Sequence, residues 1–162
     1  MINVLFVCLG NICRSPLAEG VFKKLVEEEN LDDKISADSA GTSGYHDGDP
    51  ADPRSIACGK KFGVAVDSVS RQLAADDFTS FDYIVAMDES NRQNILKAAG
   101  NTINSFNLVM MRDFDDEVAD GGSLDVPDPY WSEADGFTEV YEMVLRSGRK
   151  FLNYLKEEHN LT

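Results

Sequence analysis

Cys8 and Arg14 are separated by Leu9-Gly10-Asn11-Ile12-Cys13 and followed by Ser15-Pro16. These residue types, at this spacing, combine a nucleophile with an anion clamp. Gly10 and Asn11 are the residues that best tolerate a positive φ. A segment holding them can curl until successive backbone N–H groups point inward as an anion nest. Ser15 is placed to cap a following helix and Pro16 to fill its first turn. The N-terminal end of that helix would add partial positive charge. Arg14 supplies a planar fork matched to two phosphate oxygens. Thiols in such surroundings have pKa values lowered to about 3.5–7.5, so Cys8 is expected as a thiolate at neutral pH, with the Ser15 hydroxyl placed to donate to it. A thiolate held behind a phosphoryl group is an in-line nucleophile, and the chemistry is phosphoryl transfer through a phosphocysteine. N–H groups and a guanidinium would take the place of Mg²⁺, so no metal and no cofactor are expected. Cys-x5-Arg alone is a weak signal, and a Cys closing a buried strand is ordinarily a small hydrophobe. The strand before, Gly-Asn within, and Arg-Ser-Pro with an amphipathic helix after it carry the catalytic reading.

Such a nucleophile needs an acid for the leaving oxygen, worth typically 10²–10⁴-fold. The candidate is Asp128 in Val126-Pro127-Asp128-Pro129-Tyr130-Trp131. Two prolines stiffen its backbone, and the aromatic neighbours are expected to desolvate it. An ordinary Asp-Pro turn in an acidic loop accounts for the same residues equally well.

The elements that must position these groups alternate along the chain. Ile2 to Val7 is an apolar run suited to a buried strand. From Pro16 onward, Leu17, Val21, Phe22, Leu25 and Val26 share one helical face. A second strand is expected over residues 34–40, and the Gly/Asp/Ser-rich stretch 41–52 is a loop. Pro53 opens a helix that Gly63 closes. A third strand covers residues 81–87, Asp88 caps a helix ending near Gly100, and a fourth strand covers 106–111. A long acidic loop, 112–130, precedes helical spacing from Phe137 to Leu155. Strand–helix alternation implies βαβ units, right-handed crossovers and a parallel sheet. Ligands in such folds lie beyond the carboxyl ends of the strands, which is where the Cys8 loop falls.

Composition agrees with one globular domain spanning 1–162. The chain has 43% hydrophobic and 27% charged residues, ordinary globular usage. There is no apolar run of the ~20 residues needed to span a membrane and no recognisable signal peptide, so a cytoplasmic location is expected. Fifteen Lys and Arg against twenty-nine Asp and Glu give a net charge of −14, which argues against nucleic-acid or anionic-membrane partners. Three cysteines do not make a disulfide scaffold, and no Cys/His cluster has zinc spacing. Asp113, Asp115 and Glu117 resemble calcium-loop ligands, but Val118 stands where the turn glycine belongs. The acidic run is therefore read as a solvated face.

Val7-Cys8-Leu9-Gly10-Asn11-Ile12-Cys13-Arg14-Ser15-Pro16 resembles the signature of the low-molecular-weight protein tyrosine phosphatases. The resemblance continues through Asp38-Ser39-Ala40-Gly41-Thr42, Asp52-Pro53-Arg54, Ser70-Arg71-Gln72, Phe81-Asp82-Tyr83-Ile84, Met87-Asp88 and Asp128-Pro129-Tyr130. It implies an α/β fold: one three-layer domain with a four-stranded parallel sheet, helices on both faces and the phosphate-binding loop after the first strand. It implies hydrolysis of protein phosphotyrosine, with Cys8 as nucleophile, Arg14 as phosphate clamp and Asp128 as general acid and then base. It also implies that Asn11 is the left-handed residue of the loop, that Ser15 steadies the thiolate and that Ser39 bonds Asn11. Cys13 matches the family's second loop cysteine, which pairs with the nucleophile on oxidation. Whether the two join in this chain is left open, and Cys58 is read as core. Two positions depart from the pattern: Ser68 and Phe62 stand where histidines are common.

Leu9, Ile12, Tyr45, Tyr130 and Trp131 could wall a deep apolar slot suited to a phenyl ring. Phosphoarginine phosphatases carry Thr in place of Ile12, so phosphotyrosine is favoured, presented by a protein to a monomer or weak dimer. Two rivals remain. A thioredoxin-coupled arsenate reductase on this fold needs two further cysteines, and only Cys58 lies downstream. A non-catalytic phosphate-binding module should lack Asp128.

Overall fold

The structure, a computed structural model, describes residues 1–161. Its strands are β1 (Ile2–Cys8), β2 (Ile35–Gly41), β3 (Tyr83–Ala86) and β4 (Asn107–Met110). They form one sheet in the order β2-β1-β3-β4, parallel throughout. The helices are α1 (Arg14–Glu28), α2 (Pro53–Lys61), the single turn α3 (Asp77–Ser80), α4 (Glu89–Ala99) and α5 (Ala134–Glu158). Short 3₁₀ turns cover Gly100–Ser105, Met111–Phe114 and Pro129–Trp131.

Side-chain alternation along β1 and β3 divides the core in two. Val4, Phe6, Tyr83 and Val85 face α1, α2 and α5, packing with Leu17, Val21, Phe22, Phe137, Val144 and Phe151. Leu5, Val7, Ile84 and Ala86 face the other way, onto Phe78, Ile95 and Ala99 of α3 and α4. The three-layer expectation is met, and both faces of the sheet are covered as a parallel sheet requires.

The register sets the site. Cys8 pairs with Gly41 and Val7 with Ala86, so the ends of β1, β2 and β3 lie side by side. The chain runs to β2 on one side of β1 and to β3 on the other, which makes the carboxyl end of β1 a topological switch point.

Several local expectations are corrected. Helix α1 begins at Arg14, with Cys13 at its N-cap, two residues ahead of the expected cap Ser15, and no side-chain cap bond. Ser15 lies inside the helix, and its hydroxyl is turned to Cys8 and Asn11 instead. The final helix starts at Ala134, ahead of Phe137. The one-turn α3 is too short to display a period in the sequence. The acidic run is not simply solvated. Asp115 is buried and accepts hydrogen bonds from Arg112 at 2.9 Å and Arg146 at 2.7 Å. Asp88 caps α4 as expected, accepting from the Asn91 N–H at 2.7 Å. Phe62 stacks on Tyr141 with ring centroids 4.0 Å apart, while the Ser68 hydroxyl is buried with no hydrogen-bond partner among the described residues.

Candidate active site

The loop from Cys8 to Arg14 is held from outside by its carbonyls. Those of Cys8 and Leu9 accept from the N–H groups of Thr42 and Ser43, both at 2.9 Å. The Gly10 carbonyl accepts from the Ser70 hydroxyl at 2.9 Å. The Ile12 carbonyl accepts from the Asp52 N–H at 2.8 Å, and the Cys13 carbonyl from the Ser55 hydroxyl at 3.0 Å. In a trans peptide the following N–H points opposite to the carbonyl. Outward carbonyls at residues 8, 9, 10, 12 and 13 therefore aim the N–H groups of Leu9, Gly10, Asn11, Cys13 and Arg14 inward. Among the described residues, no N–H from Leu9 to Cys13 donates to another protein group. Convergent, unpaired N–H groups at a helix N-terminus form a ready-made anion site.

Asn11 alone takes the left-handed conformation in this loop, with φ 56. That is the residue the resemblance implies; Gly10 does not use its freedom to take a positive φ. The packing there is close: a Cβ at Gly10 would lie 3.1 Å from the His46 ring, which would have to shift slightly to admit it. The Asn11 carboxamide spans the loop. Its Oδ1 accepts from the Arg71 N–H at 3.0 Å, while Nδ2 donates to Ser15 at 2.8 Å and to Ser39 at 3.0 Å.

These contacts give the chain of hydrogen bonds a direction. Glu19 is buried and pairs with Lys23 at 2.6 Å. As a carboxylate it only accepts, so the Ser39 hydroxyl donates to it, at 2.6 Å. Ser39 then accepts from Asn11, and Asn11 donates to Ser15. Cys8 Sγ, 3.1 Å away, is the acceptor left for the Ser15 proton among the described residues. The relay ends by donating to sulfur, which favours the anion.

Arg14 is 2% exposed. Its Nη1 donates to Asp88 Oδ2 at 2.7 Å and to the Val126 carbonyl at 3.0 Å. Burial opposes its charge, but neighbouring Cys8, the Asp88 hydrogen bond and Asp128 outweigh burial and raise its pKa above the ordinary value. Asp88 thus does two jobs, one per carboxylate oxygen, of which the sequence suggested only the cap. The signal was its place just past β3, whose end neighbours that of β1. Asp128 sits across the cleft, with Oδ2 3.7 Å from Arg14 Nη2 and Oδ1 accepting from the Tyr130 N–H at 3.1 Å. Its carboxyl is 40% exposed, more open than its aromatic neighbours suggested, because Trp131 turns out to solvent.

Cys8, Leu9, Gly10, Ile12, Cys13, Arg14, Tyr45, Asp128, Tyr130 and Trp131 all line one cleft of about 360 Å³. His46 joins them; its position in a Gly/Asp-rich loop gave no periodic signal. Asn11, Ser15 and Ser39 lie behind the wall. Cys13 is a free, buried thiol whose pKa is pushed up to about 12, first by burial and then by the charges of Asp52, Cys8 and Asp128 against Arg54. Cys58 is buried and donates to the Phe137 carbonyl. Among the described residues no group of His, Cys, Asp and Glu is arranged to hold a metal ion. The arrangement can bind a tetrahedral dianion, present a sulfur to it and offer a carboxyl group to its leaving atom.

Known proteins resemble this chain over nearly its whole length. The family described as low molecular weight phosphotyrosine protein phosphatase matches residues 3–161. A low molecular weight protein-tyrosine-phosphatase of Streptomyces coelicolor is 41% identical over 156 residues, covering 96% of this chain and 94% of its own. The crystal structure of a protein tyrosine phosphatase from Entamoeba histolytica superposes with a TM-score of 0.92 at 39% identity, covering 98% of this chain and 99% of that one. A Drosophila arginine phosphatase superposes with a TM-score of 0.84 at 34% identity, over 94% of this chain and 97% of its own. The chain belongs to the low molecular weight phosphotyrosine protein phosphatase family.

Proposed function

We propose that the protein hydrolyses phosphotyrosine in proteins through a phosphocysteine intermediate. The observation that carries this reading is the ring of unpaired N–H groups from Leu9 to Cys13, set between Cys8 Sγ and the buried Arg14. The phosphoryl oxygens bind that ring and the guanidinium, with Arg14 held in place by Asp88. The Cys8 thiolate attacks phosphorus, and the P–O bond to the tyrosine breaks as the S–P bond forms. Asp128 gives its proton to the departing phenolic oxygen. Water then enters; Asp128, now a carboxylate, takes its proton as the oxygen attacks phosphorus. The S–P bond breaks, returning the thiolate and releasing inorganic phosphate. The backbone dipoles and guanidinium stabilise the charge of both transition states.

Leu9, Ile12, Tyr45, Tyr130 and Trp131 wall the slot for the phenyl ring, deep enough that phosphoserine falls short of the sulfur. Phosphoarginine is the second reading, because an arginine phosphatase shares the fold; Ile12 weighs against it. Cys13 is assigned the redox role: once a peroxide has oxidised Cys8 to a sulfenic acid, the Cys13 sulfur displaces water to form the S–S bond. We place residues 1–162 in a single phosphatase domain, acting in the cytoplasm as a monomer or weak dimer; no helix among the described residues is long and apolar enough to cross a membrane.

The test is release of phosphate from a phosphotyrosine peptide and a phosphoarginine peptide of the same sequence, in EDTA. Turnover of the first, greatly exceeding the second and lost in Cys8→Ser, is expected. Persistence of turnover in Cys8→Ser would overturn the mechanism, and a preference for phosphoarginine would overturn the substrate.

A further inference from the structure

The turn that carries Asp128 is pinned at two points. On its N-terminal side, the Val126 N–H donates to the Met87 carbonyl at 2.7 Å and the Val126 carbonyl accepts from Arg14. On its C-terminal side, Arg54 Nη1 donates to the Ser132 carbonyl at 3.1 Å. The guanidinium also lies 5.5 Å from the centre of the Tyr130 ring and 4.8 Å from that of Phe137. It therefore touches the residue two beyond the acid, the residue four beyond it, and the helix that follows.

Arg54 is itself fixed. Its Nε donates to Asp52 Oδ1 at 3.0 Å and its Nη2 to Asp52 Oδ2 at 2.9 Å, a two-pronged pairing that sets both position and plane. The Asp52 N–H in turn holds the Ile12 carbonyl of the phosphate loop. A continuous path runs from the nucleophile's loop, through Asp52 and Arg54, to the turn bearing the acid. Nε, Nη1 and Nη2 are all engaged within the protein, and Arg54 is not part of the cleft lining. Its contacts run to Asp52 and to the turn that carries the acid.

We propose that Arg54 is a positioning residue for Asp128: it keeps the carboxyl group at a fixed distance from the phosphate loop, so that the proton reaches the leaving oxygen. This rests on the reading of Asp128 as the acid. Acid catalysis matters most for poor leaving groups and least for good ones. A merely structural role would slow all substrates alike.

The experiment compares kcat/KM for phenyl phosphate, p-nitrophenyl phosphate and 2,4-dinitrophenyl phosphate in the wild type, Arg54→Gln, Arg54→Lys and Asp52→Asn, with the Cys8 alkylation rate measured in each. Leaving-group protonation is typically worth 10²–10⁴-fold, and a displaced acid should forfeit about tenfold of it. Arg54→Gln is expected to lose about that for phenyl phosphate and less than about threefold for the dinitrophenyl ester, with alkylation unchanged. Arg54→Lys should recover part of the loss. Asp52→Asn retains a good N-cap and frees the guanidinium, so it gives the same signature, smaller, and serves if Arg54→Gln does not fold. Equal losses across the three esters, a changed alkylation rate, or no loss would each overturn the proposal. Failure of the wild type to turn over any ester would instead overturn the assignment of the activity.

Discussion

At the scale of single residues, the nucleophile depends on a polarity imposed by a buried carboxylate on α1. Glu19 can only accept, and that forces Ser39, Asn11 and Ser15 to donate in one sense toward Cys8 Sγ. Glu19→Gln removes the constraint, because an amide both accepts and donates. The Ser15 hydrogen bond to sulfur should then be made only part of the time. A hydrogen bond to a charged group contributes about 1.5–3 kcal/mol, so partial loss is expected to slow alkylation of Cys8 by roughly three- to tenfold. Lys23→Met should do less, because its ammonium is half exposed and the pair is screened by water. Equal alkylation rates of Glu19→Gln and wild type would show that the relay has no preferred direction. A second residue-scale outcome concerns Cys13. With its pKa pushed up to about 12, chiefly by burial, it remains a neutral thiol at pH 7, so limited iodoacetamide followed by peptide mapping should mark Cys8 and leave Cys13 unmodified.

At the scale of elements, the sequence displayed what is periodic or capped and hid what is held by tertiary contacts. β1 and β3 were visible as short apolar runs and α4 by its cap at Asp88, while Gly10 and Asn11 marked the loop. The second role of Asp88, the engagement of His46 and the Arg54 bridge were not visible, since each depends on elements distant in sequence meeting at the sheet's carboxyl edge. The burial of Asp115 is hidden in the sequence for the same reason: its partners include Arg146, 31 positions away on α5. That burial has a measurable consequence. Burial opposes ionisation of Asp115, but hydrogen bonds from Arg146, the Glu117 N–H and Arg112 outweigh it and lower its pKa to about 2. A depressed carboxylate pKa means stability that is present above the unfolded value near 4 and lost as pH falls toward 2. Asp115→Asn should therefore cost about 2 kcal/mol at pH 7, read as a lower urea midpoint, and the gap should narrow steadily below pH ~4; a gap independent of pH would rule out the ionic account. Helix α1 offers a second check. A Cβ at Gly20 would lie 2.4 Å from the Ala65 carbonyl oxygen and 3.0 Å from Val64 Cγ1. The backbone cannot yield locally, so Gly20→Ala should destabilise by about 1–3 kcal/mol despite its better helix propensity, visible as a lower melting temperature.

At the scale of the whole molecule, a net charge of −14 surrounds a pocket built for a dianion. The two facts are reconciled by distance. Inside the cleft, N–H groups and Arg14 act at contact range in surroundings poor in water, where they are strong. Outside it, the charges add up over the surface and act on whatever flanks the phosphotyrosine. Around the mouth they are acidic: Asp47 and Asp49 beside His46 on one side, Glu133 and Asp135 after Trp131 on the other, all exposed. The nearby cation, Arg54, is already paired with Asp52. Leu9, Tyr45, Tyr130 and Trp131 add exposed apolar surface at the same rim, and aromatic faces attract cations. Peptides with Lys or Arg flanking the phosphotyrosine should consequently be hydrolysed with higher kcat/KM than peptides with Asp or Glu there. Electrostatic steering of this kind can change encounter rates by about 10–10³-fold. At ~0.01 M ionic strength the Debye length is about 30 Å, comparable with the molecule, and at ~0.15 M it is about 8 Å. The preference should therefore be large in dilute buffer and shrink several-fold at physiological salt, while kcat for p-nitrophenyl phosphate at saturation, which does not depend on steering, varies little. The double change Asp47→Asn, Asp49→Asn should reduce the preference without altering that kcat. A preference for acidic flanks, or one indifferent to salt, would mean that contacts within the cleft, and not the field of the molecule, select the substrate.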